Sequence, residues 1–372
     1  MELKTEQGMV PNEKQMERFR TLTQIPGLSA HEMRVRDYMK KELSRHSAEL
    51  IFDNLGSVFA VKKSKKPNAP RLMMSGHMDE VGFIVKQITP KGLIKFFPIG
   101  RTWEHVIMAQ RVTVYSSITG QGFPGAVASI PPHLLPEDSA KRLLSIEQML
   151  IDIGAQSRED VLAAGIRPGD MIIVDGAFVP LFGGRKLLAK AWDNRFGCAL
   201  ALDVLEEVAN EDLGVDLYIG ATVQEESGLR GAKTSAFTIA PDLSIVFESS
   251  AANDNMGDPE ELGQQGKGVL LRYIDRTAIT HRGLFMYATG LAEKKNIPFQ
   301  YFMALGGTDS GEIHTARSGC PSITLGVPSR YIHTNSSIMD YRDYAAAKEF
   351  SLAFLRSMNR EVFERDILSF SR

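Results

Sequence analysis

Apolar and polar positions follow two different patterns along the chain. After about residue 186, short apolar runs alternate with segments whose apolar residues recur every three to four positions, as in strands alternating with amphipathic helices. The predicted strands are 215–223, 243–247, 269–273, 299–305 and 322–327, and the predicted helices are 194–209, 228–237, 281–295 and 340–358. This alternation predicts a mostly parallel sheet with helices on both faces.

The N-terminal part is predicted to contain helices followed by a hairpin. Ser29 and Glu32 have the spacing of a capping box, in which the serine hydroxyl and the glutamate carboxylate each bind a free amide at a helix start. We therefore predict a helix from there to about Arg45. The predicted strands of this part are 48–52, 57–61 and 71–75.

Residues 81–175 show the second pattern. Short apolar runs are separated by glycine and proline, and one good helix is predicted near residues 158–164. The predicted strands are 81–88, 93–97, 111–115 and 171–174. Many short strands at close spacing indicate a small barrel or sandwich. The predicted fold class is therefore α/β, with a three-layer αβα domain formed by residues 1–80 and 176–372 and a small β domain, residues 81–175, inserted into it.

The composition narrows the classes of partner. A formal net charge of −2 at pH 7 leaves no basic surplus for binding phosphates, which argues against nucleic acid as a partner. No stretch approaches the ~18 apolar residues of a membrane span, and the first seven residues lack the apolar core of a signal peptide. Cys198 and Cys320 are expected to be buried thiols in a reducing compartment. We therefore expect a cytoplasmic protein that binds neither nucleic acid nor membrane.

Acids and histidines recur where predicted apolar runs end. In α/β proteins, functional side chains gather at the carboxyl ends of the strands. Carboxylates and imidazoles without thiols suit zinc, cobalt or manganese, and two such ions close together can drive hydrolysis. The candidate residues are His77, Asp79, Asp193, Glu225, Glu226, Glu248 and His333.

Two pairs of candidates carry most of this signal. Alternate residues of an extended segment project to one side, so Asp79 could orient a metal-bound His77; a histidine satisfied by a neighbouring loop is the alternative. Glu225 and Glu226 directly follow an apolar run, and adjacent carboxylates are costly to desolvate unless a cation stands nearby. One of them could bind a metal while the other moves a proton. A solvated loop is the alternative for this pair.

The remaining candidates have simpler alternatives. Asp193 heads a predicted helix, and a helix cap alone would explain it, although a cap does not explain Lys190 and Arg195 nearby. Glu248 follows an apolar run and would be a costly buried acid unless it is paired or bound to a metal. His333 lies where a predicted strand passes into a loop.

Taken together, these segments resemble the tetrahedral (TET-type) dinuclear metallo-aminopeptidase family. That family includes glutamyl and deblocking aminopeptidases, and some members once carried the label cellulase M or endoglucanase. The resemblance spans nearly the whole chain, including the inserted β domain. The matching segments are Gly76-His77-Met78-Asp79-Glu80-Val81-Gly82-Phe83, Asp193-Asn194-Arg195, Gln224-Glu225-Glu226-Ser227-Gly228-Leu229-Arg230-Gly231, Gly307-Thr308-Asp309 and Arg330-Tyr331-Ile332-His333.

The resemblance implies two divalent metal ions per subunit, zinc or cobalt, with manganese as a further candidate, and no organic cofactor. By this resemblance, His77, Asp193 and Glu248 would hold one ion and Asp193, Glu226 and His333 the other, with Asp193 bridging. Glu225 would be the general base and acid, and Asp79 would orient His77. The sequence departs from the family at Glu248, where aspartate is common, and at residues 334–337 after His333.

The resemblance also implies partners. Short peptides would be the substrates, and the inserted domain, PDZ-like or barrel-shaped, would mediate dimers that assemble into a dodecamer. Three rivals stay open: another dinuclear amide hydrolase, such as a carboxypeptidase or deacylase; a scaffold protein that kept the fold and lost catalysis; and a glycosidase. The last needs two carboxyl groups that face each other across a sugar, either ~5–5.5 or ~6.5–9.5 Å apart. The adjacent pair Glu225 and Glu226 does not resemble that arrangement.

Overall fold

The structure, a computed structural model, describes residues 10–129, 132–134, 144–258 and 263–371. The parts of the two predicted domains at residues 1–9, 130–131, 135–143, 259–262 and 372 lie outside the described residues, as does the N-terminal segment considered above as a signal peptide. The helices are α1 (Glu13–Gln24), α2 (Met33–Leu43), α3 (Arg158–Ala163), α4 (Trp192–Val208), α5 (Arg230–Ile239), α6 (Arg282–Lys295), α7 (Ser310–Ile313), α8 (Tyr341–Ser357) and α9 (Arg360–Val362).

Two separate sheets contain the strands. The strands are β1 (Glu49–Phe52), β2 (Val58–Lys62), β3 (Arg71–His77), β4 (Gly82–Ile88), β5 (Ile94–Ile99), β6 (Arg111–Tyr115), β7 (Gly122–Val127), β8 (Ile151–Asp152), β9 (Met171–Val174), β10 (Val179–Pro180), β11 (Lys186–Ala189), β12 (Asp216–Thr222), β13 (Leu243–Ala252), β14 (Val269–Ile274), β15 (Phe299–Met303), β16 (Ser322–Arg330) and β17 (Ser337–Asp340). Strands β4 to β9 form one sheet, and the others form the second.

The large sheet has a parallel centre and antiparallel flanks. Its strand order is β1-β2-β12-β3-β13-β16-β17-β11-β10, with β14 and β15 joined through β16. The four strands β12, β3, β13 and β16 run parallel, as predicted. The sheet as a whole is mixed, because short connections such as residues 53–57 between β1 and β2 can join only antiparallel strands.

Helices cover both faces of this sheet, which confirms the predicted α/β class. Along β12, Leu217 and Ile219 face the large core that contains buried residues of α1, α2, α4, α6 and α8. Tyr218, between them, faces the smaller core that contains residues of α5 and α7. This alternation is the two-residue period of a strand that is buried on both sides.

The second sheet is a closed barrel with the strand order β4-β5-β8-β7-β6-β9. It has its own hydrophobic core, which includes Phe83, Phe96, Val112 and Ile172. The predicted small β unit is thus a barrel inserted in the chain between β3 and β10. The division at residues 80/81 and 175/176 into two domains stays a prediction.

Two further predictions concern the described residues. Cys198 and Cys320 are buried free thiols, as expected. Within the described ranges, no helix is long and apolar enough to cross a membrane.

The predicted capping box is wrong. Helix α2 begins at Met33, so Glu32 occupies the cap position itself, and its side chain makes no capping hydrogen bond. Ser29 lies three residues earlier, and its hydroxyl donates to Asp79 instead. The spacing alone could not reveal that both side chains have tertiary partners.

Candidate metal centre

The candidate residues converge because of the register of the central strands. In the parallel pair of β3 and β12, His77 lies opposite Thr222. Residues that follow β12 therefore lie beside residues that follow β3. Strand β13 pairs with the other side of β3, with Val246 opposite Ser75, so Glu248 comes level with His77.

One prediction about position needs correction. Glu248 was expected just after a strand, but β13 continues to Ala252, where it pairs with Arg330 of β16. Glu248 therefore projects from within a strand, and it is 4% exposed. Polar residues after Phe247 hide this continuation from the apolar pattern, although backbone pairing with β16 extends the strand.

Asp193 stands at the centre of the cluster, between two histidines. Its Oδ1 lies 3.1 Å from His77 Nε2, and its Oδ2 lies 3.1 Å from His333 Nε2. The two oxygens of one carboxylate thus face two different imidazoles. This is the arrangement expected of a carboxylate that bridges two cations.

Three further acids lie on the two sides of Asp193. On the His77 side, Glu248 Oε1 is 3.6 Å and Glu225 Oε2 is 3.9 Å from His77 Nε2. On the other side, Glu226 Oε1 is 3.3 Å from His333 Nε2. Ligand atoms lie within 4.8 Å of one another in each of three groups: His77, Asp193 and Glu248; Asp193, Glu226 and His333; and His77, Glu225 and Glu226. The first two groups are the ligand sets that the resemblance implied.

Both imidazoles are oriented by backbone carbonyls. His77 Nδ1 is 3.0 Å from the carbonyl oxygen of Asp79, and His333 Nδ1 is 2.8 Å from that of Arg101. Because a carbonyl only accepts, each Nδ1 must carry the hydrogen. In the neutral ring, each Nε2 then has the lone pair that a bound cation needs.

Asp79 contacts the centre through its side chain as well. Its Oδ1 lies 3.3 Å from His77 Nδ1, consistent with the predicted orienting contact. Its carboxylate also accepts the backbone N–H groups of Glu225 and Glu226, at 3.0 and 3.1 Å. The pattern of the sequence did not predict that Asp79 holds the loop that carries both glutamates.

The helix-cap alternative for Asp193 is wrong, because the neighbouring residue has that function. Asp193 and Asn194 have non-helical backbone angles, and Asn194 Oδ1 accepts the N–H of Gly197. The amide of Asn194 donates to the carbonyl of Phe247, directly before Glu248. Asp193 is thereby left free to face the two histidines.

The basic residues near Asp193 form a buried ion network. Lys190 Nζ lies 2.7 Å from one carboxylate oxygen of Glu80, and Arg195 lies 3.2 Å from the other. Arg195 also donates to the carbonyl of Met78. The network ties the start of α4 to the turn after β3, so that it fixes Asp193 relative to His77.

The charges of the cluster favour a bound cation. Burial lowers the pKa of His333, but the carboxylates of Glu226 and Asp193 outweigh this and raise it to about 11. Burial and the negative charge of Asp193 raise the pKa of Glu248 to about 8. Burial and the neighbouring acids Glu248 and Glu226 also raise the pKa of Glu225 well above its usual value, against the opposing effect of His77. A site that holds protons this strongly has an excess of negative charge.

The donor atoms themselves fit divalent ions. Among the described residues, Glu226 Oε1 and Glu248 Oε2 are buried without a hydrogen-bond donor, and such an oxygen is costly unless a cation compensates it. Imidazole nitrogens and carboxylate oxygens are ligands of zinc, cobalt and manganese. The residues present therefore fit the implied metal pair.

Asp309 is a neighbour of the site to which the sequence assigned no function. It is buried, and one of its oxygens accepts the hydroxyl hydrogen of Thr222, the last residue of β12. Burial raises the pKa of Asp309 to about 6, although His77 opposes the shift. Its presence in the quoted segment Gly307-Thr308-Asp309 was the only signal that could have found it.

A cavity of about 620 Å³ opens beside His333. Arg101, Trp103, Tyr331 and Asn335 are among the residues that line it. This volume lies within the range of small-ligand pockets, ~300–1,000 Å³. The cavity therefore gives a small ligand access to His333.

Comparisons with known proteins agree with this geometry. A model of the family described as M42 glutamyl aminopeptidase matches residues 56–350. The chain is 38% identical over 346 residues to the glutamyl aminopeptidase of Lactococcus lactis subsp. cremoris (strain MG1363), covering 93% of this chain and 97% of that protein.

Solved structures give the same result. The TET aminopeptidase from the marine sediment archaeon Thaumarchaeota archaeon SCGC AB-539-E09 superposes with a TM-score of 0.91 at 35% identity, covering 95% of this chain and 99% of that one. The TET1 peptidase of Pyrococcus horikoshii, which can assemble into a tetrahedron or a large octahedral shell, has a TM-score of 0.84 at 26% identity and covers 92% and 100% of the two chains.

Proposed function

The chain belongs to the M42 glutamyl aminopeptidase family, and on that premise we propose that it removes N-terminal residues from short peptides with two divalent metal ions. One observation carries the proposal. The two oxygens of Asp193 face His77 and His333 at equal distances of 3.1 Å. A shared carboxylate between two imidazoles is suited to a pair of ions.

Each ion would have its own ligand set. His77, Asp193 and Glu248 would hold one, and Asp193, Glu226 and His333 the other, in line with the two groups of converging ligand atoms. When bound, two such ions supply a more acidic water and a polarised scissile carbonyl. Zinc and cobalt are the proposed metals, and manganese is a further candidate for the same donor set.

Glu225 is the proposed general base and acid. It would take the proton of the attacking water and deliver it to the leaving amine. Its raised pKa, caused by burial and by the neighbouring acids, suits a group that must hold a proton between these two steps. The hydrogen bond from its backbone N–H to Asp79 fixes its position.

The decisive test is Glu225→Gln in the metal-loaded protein. Glutamine has nearly the same shape and cannot accept and return a proton, so we expect kcat on aminoacyl-p-nitroanilides to fall at least ~100-fold. Metal analysis should still find two ions per chain. Full turnover by this variant would exclude Glu225 as the base, and loss of both ions would show that it is a ligand instead.

The rival amide hydrolases differ in the end of the substrate that they recognise. We propose that the free α-amine is required, so acetylated dipeptides should not be cleaved. A carboxypeptidase or deacylase would instead need a free carboxylate and would tolerate the blocked amine. A scaffold protein would bind no metal and cleave neither substrate after zinc or cobalt is supplied.

We also propose that the protein is a cytoplasmic homo-oligomer, in which dimers assemble into a dodecamer. An exposed apolar surface supports the assembly. On β14 and β15, Tyr273 and Tyr301 both contact the ring of Phe285 on α6. Tyr301 is 50% and Met303 is 45% exposed, and β15 pairs only with β14 within the described strands. We call Tyr273, Tyr301 and Met303 the β15 surface.

A further inference from the structure

The segment Ser29–Glu32, which was predicted to cap a helix, lies against the candidate metal centre. The Ser29 hydroxyl donates to Asp79 Oδ2 at 2.5 Å. Glu32 Oε1 accepts two backbone N–H groups, from Ala30 at 2.9 Å and from Gln224 at 3.0 Å. The contact with Gln224 joins residues that are 192 positions apart in the chain. It brings the start of α2 to the loop after β12.

Three consecutive amides of that loop are held by two carboxylates. Glu32 accepts the N–H of Gln224, and Asp79 accepts those of Glu225 and Glu226. No strand or helix binds these amides, because β12 ends at Thr222 and α5 begins at Arg230. The two carboxylates therefore hold the amide side of the loop, while the carbonyl groups of Gln224 and Glu225 accept N–H groups from residues 228–230.

Gln224 has an unfavourable backbone conformation in this loop. Its φ is +56°, in the left-handed region, which is sterically unfavourable for a residue with a side chain. The hydrogen bond to Glu32 acts on the amide of this same residue. Because Gln224 directly precedes Glu225, a change of its backbone angles would displace the Glu225 carboxylate.

Glu32 is well placed to hold the loop firmly. Its side chain is 5% exposed, and burial together with the negative charge of Asp79 raises its pKa to about 7. A carboxyl oxygen can accept the Gln224 N–H whether or not the group carries a proton. The contact therefore depends on the position of the oxygen rather than on its charge.

We propose that Glu32 is a positioning residue for the reaction, which fixes the Glu225 carboxylate at the metal centre through the backbone N–H of Gln224. The inference rests on the proposed function, in which Glu225 is the base. Among the described residues, the hydrogen bonds of the Glu32 side chain go to the backbone N–H groups of Ala30 and Gln224 and not to a candidate metal ligand. Its effect should therefore appear in turnover rather than in metal content or substrate binding.

The test compares three variants of the full-length, metal-loaded protein with the wild type. Glu32→Ala removes the acceptor, and we expect kcat to fall about 10- to 100-fold, as for a misplacement of about 1 Å, with KM within about twofold and two ions still bound. Glu32→Gln keeps an acceptor oxygen at the same reach, and it should retain kcat within about threefold. Glu42→Ala is the matched control, because Glu42 is equally buried on α2 but pairs with Arg45. It should leave kcat unchanged.

The outcomes separate the possible failures. If Glu32→Ala folds and turns over at the wild-type rate, or if Glu32→Gln loses as much as Glu32→Ala, the positioning role is wrong. If Glu32→Ala does not fold, Glu32→Asp, whose shorter side chain cannot reach Gln224, replaces it in the comparison with Glu32→Gln. If the wild type itself cleaves no aminoacyl substrate with any of the metals, the proposed function fails, independently of Glu32.

Discussion

At the scale of single residues, the pKa values of partly and fully buried acids are shifted in opposite directions, depending on which groups face them. The side chain of Asp193 is 12% exposed; burial raises its pKa, yet hydrogen bonds from His333 and His77 outweigh this and lower it below the usual range. Asp343, at the start of α8, accepts the backbone N–H groups of Gly266 and Gly268 from the loop before β14. Burial outweighs these two hydrogen bonds and raises its pKa to about 7.

The raised pKa of Asp343 predicts a pH dependence of stability. Between about pH 4 and pH 7, the unfolded chain loses this proton before the folded protein does. The contribution of Asp343 to the free energy of unfolding is fully present below pH ~4. It is lost as the pH rises through 7, by up to about 1.4 kcal/mol per pH unit. Asp343→Asn removes the titration, so the difference in unfolding free energy, variant minus wild type, should increase over this window. A difference that stays constant in urea titrations from pH 4.5 to 7.5 would contradict this.

At the scale of elements, β3 and α4 approach each other unusually closely at two glycines. A Cβ added at Gly76 would lie 2.7 Å from the backbone of Gly197. Gly76 directly precedes His77, and α4 begins beside Asp193, so this contact sets the spacing of two candidate ligands. No larger residue fits at Gly76 unless the strand or the helix moves.

Gly76→Ala should therefore destabilise the protein by about 1–3 kcal/mol, as is usual for overpacking, and should weaken metal binding. Gly290→Ala is the matched control, because a Cβ there meets nothing within 4 Å on the exposed side of α6. That variant should be more stable by up to about 1 kcal/mol. Thermal unfolding and zinc titration of both variants check the prediction. Equal behaviour of the two alanines would mean that the close contact is unimportant.

The elements also show what the sequence could and could not predict. The central strands β3, β12, β13 and β16 were predictable because they are buried on both faces and form continuous apolar runs. Strands β11 and β17 were not predicted, because they are short and their pairing partner is set by the folded chain. The continuation of β13 through Glu248 was hidden for the same reason, since backbone pairing leaves no apolar pattern.

The candidate site follows the same rule. Its seven predicted residues lie together in the structure. The sequence could identify them because motifs and the resemblance point to side chains with a distinctive chemistry. The supporting residues Ser29, Glu32 and Asn194 have ordinary local explanations, such as caps, and only the tertiary contacts reveal that they also bind Asp79, Gln224 and Phe247. Spacing in the sequence reports local geometry, and these contacts join distant segments.

At the scale of the whole molecule, the β15 surface predicts how the assembly can be disrupted. Tyr301→Glu places a charge in the middle of this apolar surface, where desolvation on contact with a second copy would be costly. We expect a smaller particle by light scattering, with kcat/KM on a dipeptide substrate within about twofold of the wild type. Phe237→Glu, at an exposed apolar residue on α5, is the control and should keep the full size. An unchanged particle for Tyr301→Glu would exclude this surface as an interface.

The distances along the chain between the candidate ligands have a consequence for protein synthesis. His77 and Asp193 are 116 residues apart, and Asp193 and His333 are a further 140 apart. A nascent chain that emerges from the ribosome passes through the whole barrel and most of the large sheet before His333 appears. Until then, Asp193 faces one imidazole and the second ligand set is incomplete. On the proposed function, a chain that ends before His333 lacks one ligand of the second set, and we expect it to cleave no peptides.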